Sequence, residues 1–397
     1  MNRQYRNAAL YIPFAIFSEP LFWGPILTKT VVELGKLSLS EMYFQEAVCV
    51  VLMFLIDIPT GAIADIIGRK RTLIIGQSFL LVSYILFALM SEPLHTWLAN
   101  ICWAIGAAFR SGADSSLIYE SLPLENRDAV YHKLESKVQG WKLALMAIGA
   151  LASGWMAHID LRLPLLVSVP FVGISFITTF FLVEEHSHHT LREVKYSFRE
   201  HLHKMYEGLM YTVHIKKILW LMCFSALLSA AGKLWFFTYN PYFEKVGLDV
   251  QEFGYIFFML NIVGWAASHF NQKMLEKLGE RTMLITLLLS TAIPIMIMGI
   301  FPLKIMALGV FFQNITRGGL PPLFLAMSQK YITNNAIRAT TLSVKSSIGA
   351  LAGAGSQIVF GYALTQAGFL STLTGLGVVT LILGLLCMTW YGKLFKK

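Results

Sequence analysis

Long apolar runs, each near the length of a membrane-crossing helix, alternate with short polar breaks along almost the whole chain. The runs are continuous rather than alternating residue by residue, so they predict helices and not the strands of a membrane β-barrel. At roughly 20 residues per crossing, they predict twelve helices, over 8–33, 41–63, 72–91, 95–119, 138–159, 163–183, 218–241, 251–272, 282–301, 304–329, 339–365 and 368–391. Connections are short except at 184–217, a polar linker that divides the chain into a six-helix bundle over 1–183 and another over 218–397. In the linker, Leu191, Val194, Phe198, Leu202, Met205 and Leu209 recur at helical spacing, opposite Arg192, Lys195, Arg199 and Lys204. That pattern predicts an amphipathic helix lying on the cytoplasmic helix ends or the lipid surface.

Composition narrows the class. Of 397 residues, 56% are hydrophobic and only 14% charged, where a soluble domain carries about 25% charge. Such a chain cannot hide its apolar surface from water, and an all-α protein embedded in lipid follows. The twelve spans leave no room for a large soluble domain. The first apolar run reads as a retained helix, because Met1–Ala8 is too short and polar for a cleaved leader.

Charge then sets the topology. With the N-terminus in the cytoplasm, 22 of the 32 Lys and Arg residues fall on the cytoplasmic side, five on the opposite side and five within spans. That bias places both termini inside. It accounts for the net charge of +9 without a nucleic-acid partner. Cys49, Cys102, Cys223 and Cys387 all lie in apolar runs at no metal-ligand spacing, so neither a metal nor a cofactor is expected. The linker histidines His186, His188, His189, His201 and His203 likewise form no defined metal site.

The two bundles repeat one another. Arg110-Ser111-Gly112 in the fourth span matches Arg317-Gly318-Gly319 in the tenth, and Gly68-Arg69-Lys70-Arg71 after the second span matches Gly279-Glu280-Arg281 after the eighth. Both offsets are close to 210 residues. A duplicated unit of this kind places a solute site at mid-membrane, between the repeats.

The run from Asp57 through Gly61 and Asp65 to Gly68, Arg69, Lys70 and Arg71 resembles the signature loop of the major facilitator superfamily (MFS), which joins the second and third helices as here. The resemblance implies that fold over the whole chain, a secondary transporter and a monomer, while the short loops and the lack of an extra domain point to the cytoplasmic membrane of a bacterium. The resemblance also implies that Asp57, Gly61, Asp65, Gly68 and Arg69 form a conformational latch. On physical grounds Gly61 would allow close backbone approach, Gly68 a tight turn, and Arg69 an ion pair with Glu120 at the cytoplasmic end of the fourth span. The second-half stretch from Asn271 to Arg281 reads as degenerate, lacking the acidic residue, so a weaker latch is expected there. In the fifth span Gly149 and Gly154 remain of the antiporter motif, but its Gly-Pro pair is absent.

Charges inside a bilayer are costly and usually functional. Glu19, Arg110, Asp114 and Arg317 lie deepest. Arg110 and Asp114, four residues apart, are expected to pair on one helical face. Glu19, beside Pro20, has no basic neighbour in sequence. A carboxylate buried without a cation holds its proton more tightly than in water, which makes Glu19 the first proton-coupling candidate and Asp114 the second. Arg317 matches Arg110 without a local acid, so it is the leading candidate for an anionic solute group. Lys142 and Lys345 lie near cytoplasmic ends and are expected to snorkel. Lys233 precedes Asn240-Pro241, where a helix break is expected. Trp23, Trp235, Asn261, Gln313 and Asn314 complete the candidate cavity lining.

Five bases outnumber the acids within the spans, which favours an anionic or zwitterionic solute. The expected function is therefore proton-coupled secondary transport of a small organic solute, by symport or antiport. A multidrug efflux antiporter is the alternative in the same class. A non-transporting receptor or scaffold is the alternative in another, and it would make the mid-membrane charges dispensable. No P-loop, HExxH or GxSxG motif supports a pump or an enzyme.

Overall fold

The computed structural model describes residues 3–123, 125–184, 210, 214–331 and 335–395. The predicted linker helix with its histidines, and the side chain of Asp65, lie outside the described residues. Among those described, all regular structure is helical. Contacts group the chain into two compact units: Met1–Leu37 with Val48–His201, and Ser38–Ala47 with Leu202–Lys397.

The first unit contains α1 (Arg3–Phe17), α2 (Leu27–Glu33), most of α3 (Leu39–Ile67), α4 (Arg69–Ala88), α5 (Pro93–Arg110), α6 (Ala113–Ser121), α7 (Arg127–Ile159) and α8 (Leu163–Phe181). The first predicted span is broken, since residues 18–23 are not helical. Pro20 explains this: it has no N–H to donate and disfavours helical geometry at the residue before it. Polar side chains from this segment and from α4 and α8 gather at the break. Ser18 Oγ donates to the Phe14 carbonyl at 2.7 Å, Ser175 Oγ to the same carbonyl at 2.8 Å, and Gln77 Nε2 to Ser18 Oγ at 2.7 Å. Backbone breaks inside a membrane are tolerated where such partners exist.

The fourth span breaks as well. α5 ends at Arg110 and α6 begins at Ala113, with Gly112 between them at φ +73°, a conformation glycine adopts without strain. By contrast α7 is longer than its predicted span. Its 33 residues rise about 50 Å, well beyond an apolar core of about 30 Å.

The second unit contains α9 (Lys216–Lys245), α10 (Val250–His269), α11 (Asn271–Ile300), α12 (Gly309–Tyr331), α13 (Asn335–Ala367) and α14 (Phe369–Leu394). α9 continues through Asn240-Pro241 to Lys245, so the break expected there does not occur. α11 carries a joint at Gly279, with φ +75° and ψ 161°. The first turns of α3 also belong here. Ser40 Oγ donates to the Gly361 carbonyl and Tyr43 OH to the Leu234 carbonyl, each at 2.6 Å.

Among the described residues, nine helices are long and apolar enough to cross a membrane. The three other predicted spans fall on the broken pair α1 and α2, the broken pair α5 and α6, and α12. Apolar side chains such as Ile148, Ile159, Val359 and Leu386 stand on the outside, as lipid contact requires.

In the first unit α4 and α5 meet through glycines. A Cβ on Gly106 would lie 2.8 Å from the Gly76 carbonyl oxygen and 2.9 Å from the Leu80 backbone nitrogen. Gly106→Leu is therefore expected to cost about 1–3 kcal/mol by overpacking and to lower the melting temperature in detergent. Gly375→Leu, whose Cβ meets nothing within 4 Å, is the control and should leave it nearly unchanged.

Candidate functional site

The first unit holds a cluster of charges at its two helix breaks. Glu19 sits in the unwound stretch after α1, Arg110 ends α5, Asp114 lies in the first turn of α6, and Lys142 projects from α7. Lys142 Nζ donates to Glu19 Oε1 at 3.0 Å, and Arg110 Nη2 lies 3.7 Å from the same oxygen. Arg110 Nε is 3.8 Å from Asp114 Oδ2. The four side chains are only 16–25% exposed, so their mutual attraction is screened less than on an open surface.

Two sequence expectations change here. Glu19 is not isolated, since two bases converge on one of its oxygens. Arg110 and Asp114 approach as expected, but across the Gly112 break rather than along one continuous helix. A span beginning at residue 138 puts Lys142 near a helix end, where snorkelling is expected, whereas α7 begins at Arg127 and carries Lys142 four turns into the helix. Glu135, on the same helix, also escaped notice. It accepts a hydrogen bond from Tyr11 OH at 2.9 Å and one from Gln139 Nε2 at 2.9 Å.

At the loop between α3 and α4, Arg69 pairs with Glu120 near the end of α6, as expected. Gly68 has φ +93°, which makes the turn. Glu184, which follows α8, takes the start of α4. Its Oε1 accepts the Arg69 backbone N–H at 2.6 Å, and its Oε2 accepts that of Lys70 at 3.4 Å. A carboxylate there meets the free N–H groups and positive end of the helix. Nothing in the local sequence marked Glu184 for this role. Gly61 differs from expectation: a Cβ there would meet nothing within 4 Å, because this face of α3 is open, and Asp57 is exposed on it too.

In the second unit, Tyr239 OH donates to Gln313 Oε1 at 2.5 Å and accepts from Asn314 Nδ2 at 3.4 Å, all three residues being buried. One turn further along α12, the exposed Arg317 guanidinium lies 5.6 Å from the Phe236 ring centre. Among the described residues no carboxylate pairs with it. Lys233 is half-buried with its ammonium 6.0 Å from the Phe237 ring centre. Asn261 Nδ2 donates to the Phe257 carbonyl of its own helix at 3.0 Å. Trp235 is fully buried and its Nε1 finds no partner among the described residues. In the first unit, Trp23 donates to Thr30 Oγ1 at 3.1 Å and packs on Phe87. The candidates thus fall into two groups, Glu19, Arg110 and Asp114 in one unit, and Arg317, Gln313 and Asn314 in the other.

Both broken spans, the signature turn at Gly68 and the Arg69–Glu120 pair are in place. The sequence model of the Major Facilitator Superfamily matches residues 14–264. The chain belongs to the Major Facilitator Superfamily. Solved structures of MFS-fold transporters share its architecture. The nucleoside transporter NupG aligns with TM-score 0.75 and 13% identity over 100% of both chains. A bacterial homologue of the human lysosomal transporter Spinster, inward-facing and unoccupied, aligns with TM-score 0.73 and 17% identity over 99% of this chain and 97% of that one. A D-xylose–proton symporter aligns with TM-score 0.67 and 14% identity over 97% and 96%. No curated protein matches the sequence. At these identities the likeness concerns the fold: a multi-pass membrane protein of the MFS transporter class.

Lys142→Met leaves the Glu19 carboxylate short of its closest cation. The substitution is expected to cost about 1–3 kcal/mol, read as a lowered melting temperature in detergent. Glu19→Gln combined with Lys142→Met should cost less than the two single losses added, by about 0.5–3 kcal/mol. Strictly additive losses would show that the two groups do not interact.

Proposed function

We propose that this MFS protein moves a small organic solute carrying a carboxylate or phosphate group, by alternating access coupled to protons. The observation that carries the proposal is Glu19, held in a helix break between Lys142 and Arg110. Protonating Glu19 removes the charge that both bases attend, and releases them. Arg110 then leans on Asp114, and Lys142 becomes free to meet an anion or water. An arriving solute anion has the converse effect: it competes for the bases and favours the protonated carboxyl. Proton and solute are thereby linked through shared cations, and each raises the affinity for the other.

Arg317 supports the solute reading. Its guanidinium faces an aromatic ring and no carboxylate among the described residues, which leaves its fork of donors open to a bidentate anion contact. Gln313, Asn314 and Tyr239 beside it are tied to one another and would offer the uncharged part of a solute its hydrogen bonds. The protein works as a monomer in a bacterial cytoplasmic membrane, with solute and proton as its partners and no nucleic acid. Multidrug export is the weaker reading, because a lipophilic cation would want an unpaired acid, and the acids of the first-unit cluster are held by bases.

The test is a thermal-shift screen of detergent-purified protein against nucleosides, dipeptides, pentoses, organic acids, amino acids and lipophilic cations. A ligand that binds the folded state raises the melting temperature in step with its concentration. Anionic or zwitterionic hits are expected, with at least tenfold weaker apparent affinity in Arg317→Gln. Hits confined to lipophilic cations and unchanged in Arg317→Gln would reverse the solute assignment.

A further inference from the structure

The loop joining α10 to the long part of α11 repeats the geometry of the signature loop with its charges exchanged. Gly279 adopts φ +75° and ψ 161°, close to Gly68 at φ +93° and ψ 150°. Both therefore turn the chain in the same way, one residue before a charged side chain. In the first half that residue is Arg69, and it pairs with the acid Glu120 near the end of α6. In the second it is Glu280. Its Oε1 accepts from the base Lys330 at 2.6 Å, and its Oε2 accepts from Tyr331 OH at 3.1 Å, at the end of α12.

Two further correspondences support the pairing, and one position differs. Arg69 to Glu280 and Glu120 to Lys330 are separated by 211 and 210 residues, the same step that relates the two glycines. The loop residue is the sheltered member of each pair: Arg69 is 24% and Glu280 23% exposed, against 42% for Glu120 and 58% for Lys330. The position matching Glu184, which caps α4, is Phe395. Phe395 packs on Tyr331, Tyr391 and Trp220, and the Lys217 ammonium lies 5.3 Å from the ring centres of both Phe395 and Tyr331. Where the first half places a carboxylate under its loop, the second places an aromatic ring topped by a cation.

This also corrects the expectation that the stretch lacks the acidic residue, although Gln272 stands where the first half has Gly61. Glu276 stands three residues before Gly279, as Asp65 stands three before Gly68. A search for a repeated basic cluster misses a device whose sign has been reversed.

We propose that Glu280, Lys330 and Tyr331 form a second cytoplasmic clamp of inverted polarity, which holds the Gly279 joint of α11 to the end of α12. An isolated exposed ion pair would be worth little. This one is anchored by a second donor, a sheltered acceptor and a stacked aromatic floor, so its loss loosens the joint. The inference is independent of the proton and solute readings.

The test is backbone amide exchange on the full-length purified protein, which needs no solute. Glu280→Lys and Lys330→Glu should each speed exchange at least fivefold over residues 280–284 and 325–331. The double variant, Glu280→Lys with Lys330→Glu, should return both segments to within twofold of the wild type. Segments 69–73 and 116–121 should stay within twofold throughout, which also reports that the protein is folded. Single variants indistinguishable from wild type, or a double variant no better protected than the singles, would overturn the proposal.

Discussion

A charge in an apolar slab must find a counter-charge or a hydrogen-bond partner, and a helix there cannot break without rehousing its freed backbone groups. These two requirements meet in the first half of this protein. Pro20 ends α1 in the middle of a span, where Ser18, Ser175 and Gln77 form a buried hydrogen-bonded group with the Phe14 carbonyl. Glu19 is thereby held off any helix, where a base from α5 and a base from α7 both reach one oxygen. Without the break the carboxylate would ride on a regular helix with its orientation fixed by the turn. Without the bases it would be an uncompensated charge. The break and the charges therefore depend on each other.

The same economy recurs at the cytoplasmic ends. Each half makes a sharp turn at a glycine with positive φ, and each fixes the residue after the glycine to the end of a helix two spans later. The chemistry at the turn differs between halves, while the backbone solution does not. Reversing both partners of a pair preserves their attraction, so its sign can differ between the halves while the turn stays the same.

Much of this was legible in the sequence, for identifiable reasons. The apolar runs located the spans because lipid demands continuous apolar helices. The Arg69–Glu120 pair was readable because the signature run fixes one partner and the span boundary the other. The partner of Glu19 was not readable. Lys142 is 123 residues away, and its depth depended on where α7 begins, which the amphipathic turns before residue 138 concealed. The break at Gly112 was hidden inside an apolar run, since one glycine does not interrupt a hydrophobic pattern. The role of Glu184 was hidden for another reason: a carboxylate that caps a distant helix leaves no trace in its own neighbourhood.

The central claim is that Glu19 is the group through which protons and solute are linked. The most direct measurement is proton movement in proteoliposomes loaded with a pH dye, using a solute that shifts the melting temperature of wild type. Wild type should carry protons with the solute. Glu19→Gln should still exchange solute across the membrane but move no protons with it and no longer respond to an imposed pH gradient. A Glu19→Gln protein that still moves protons with solute would contradict the account.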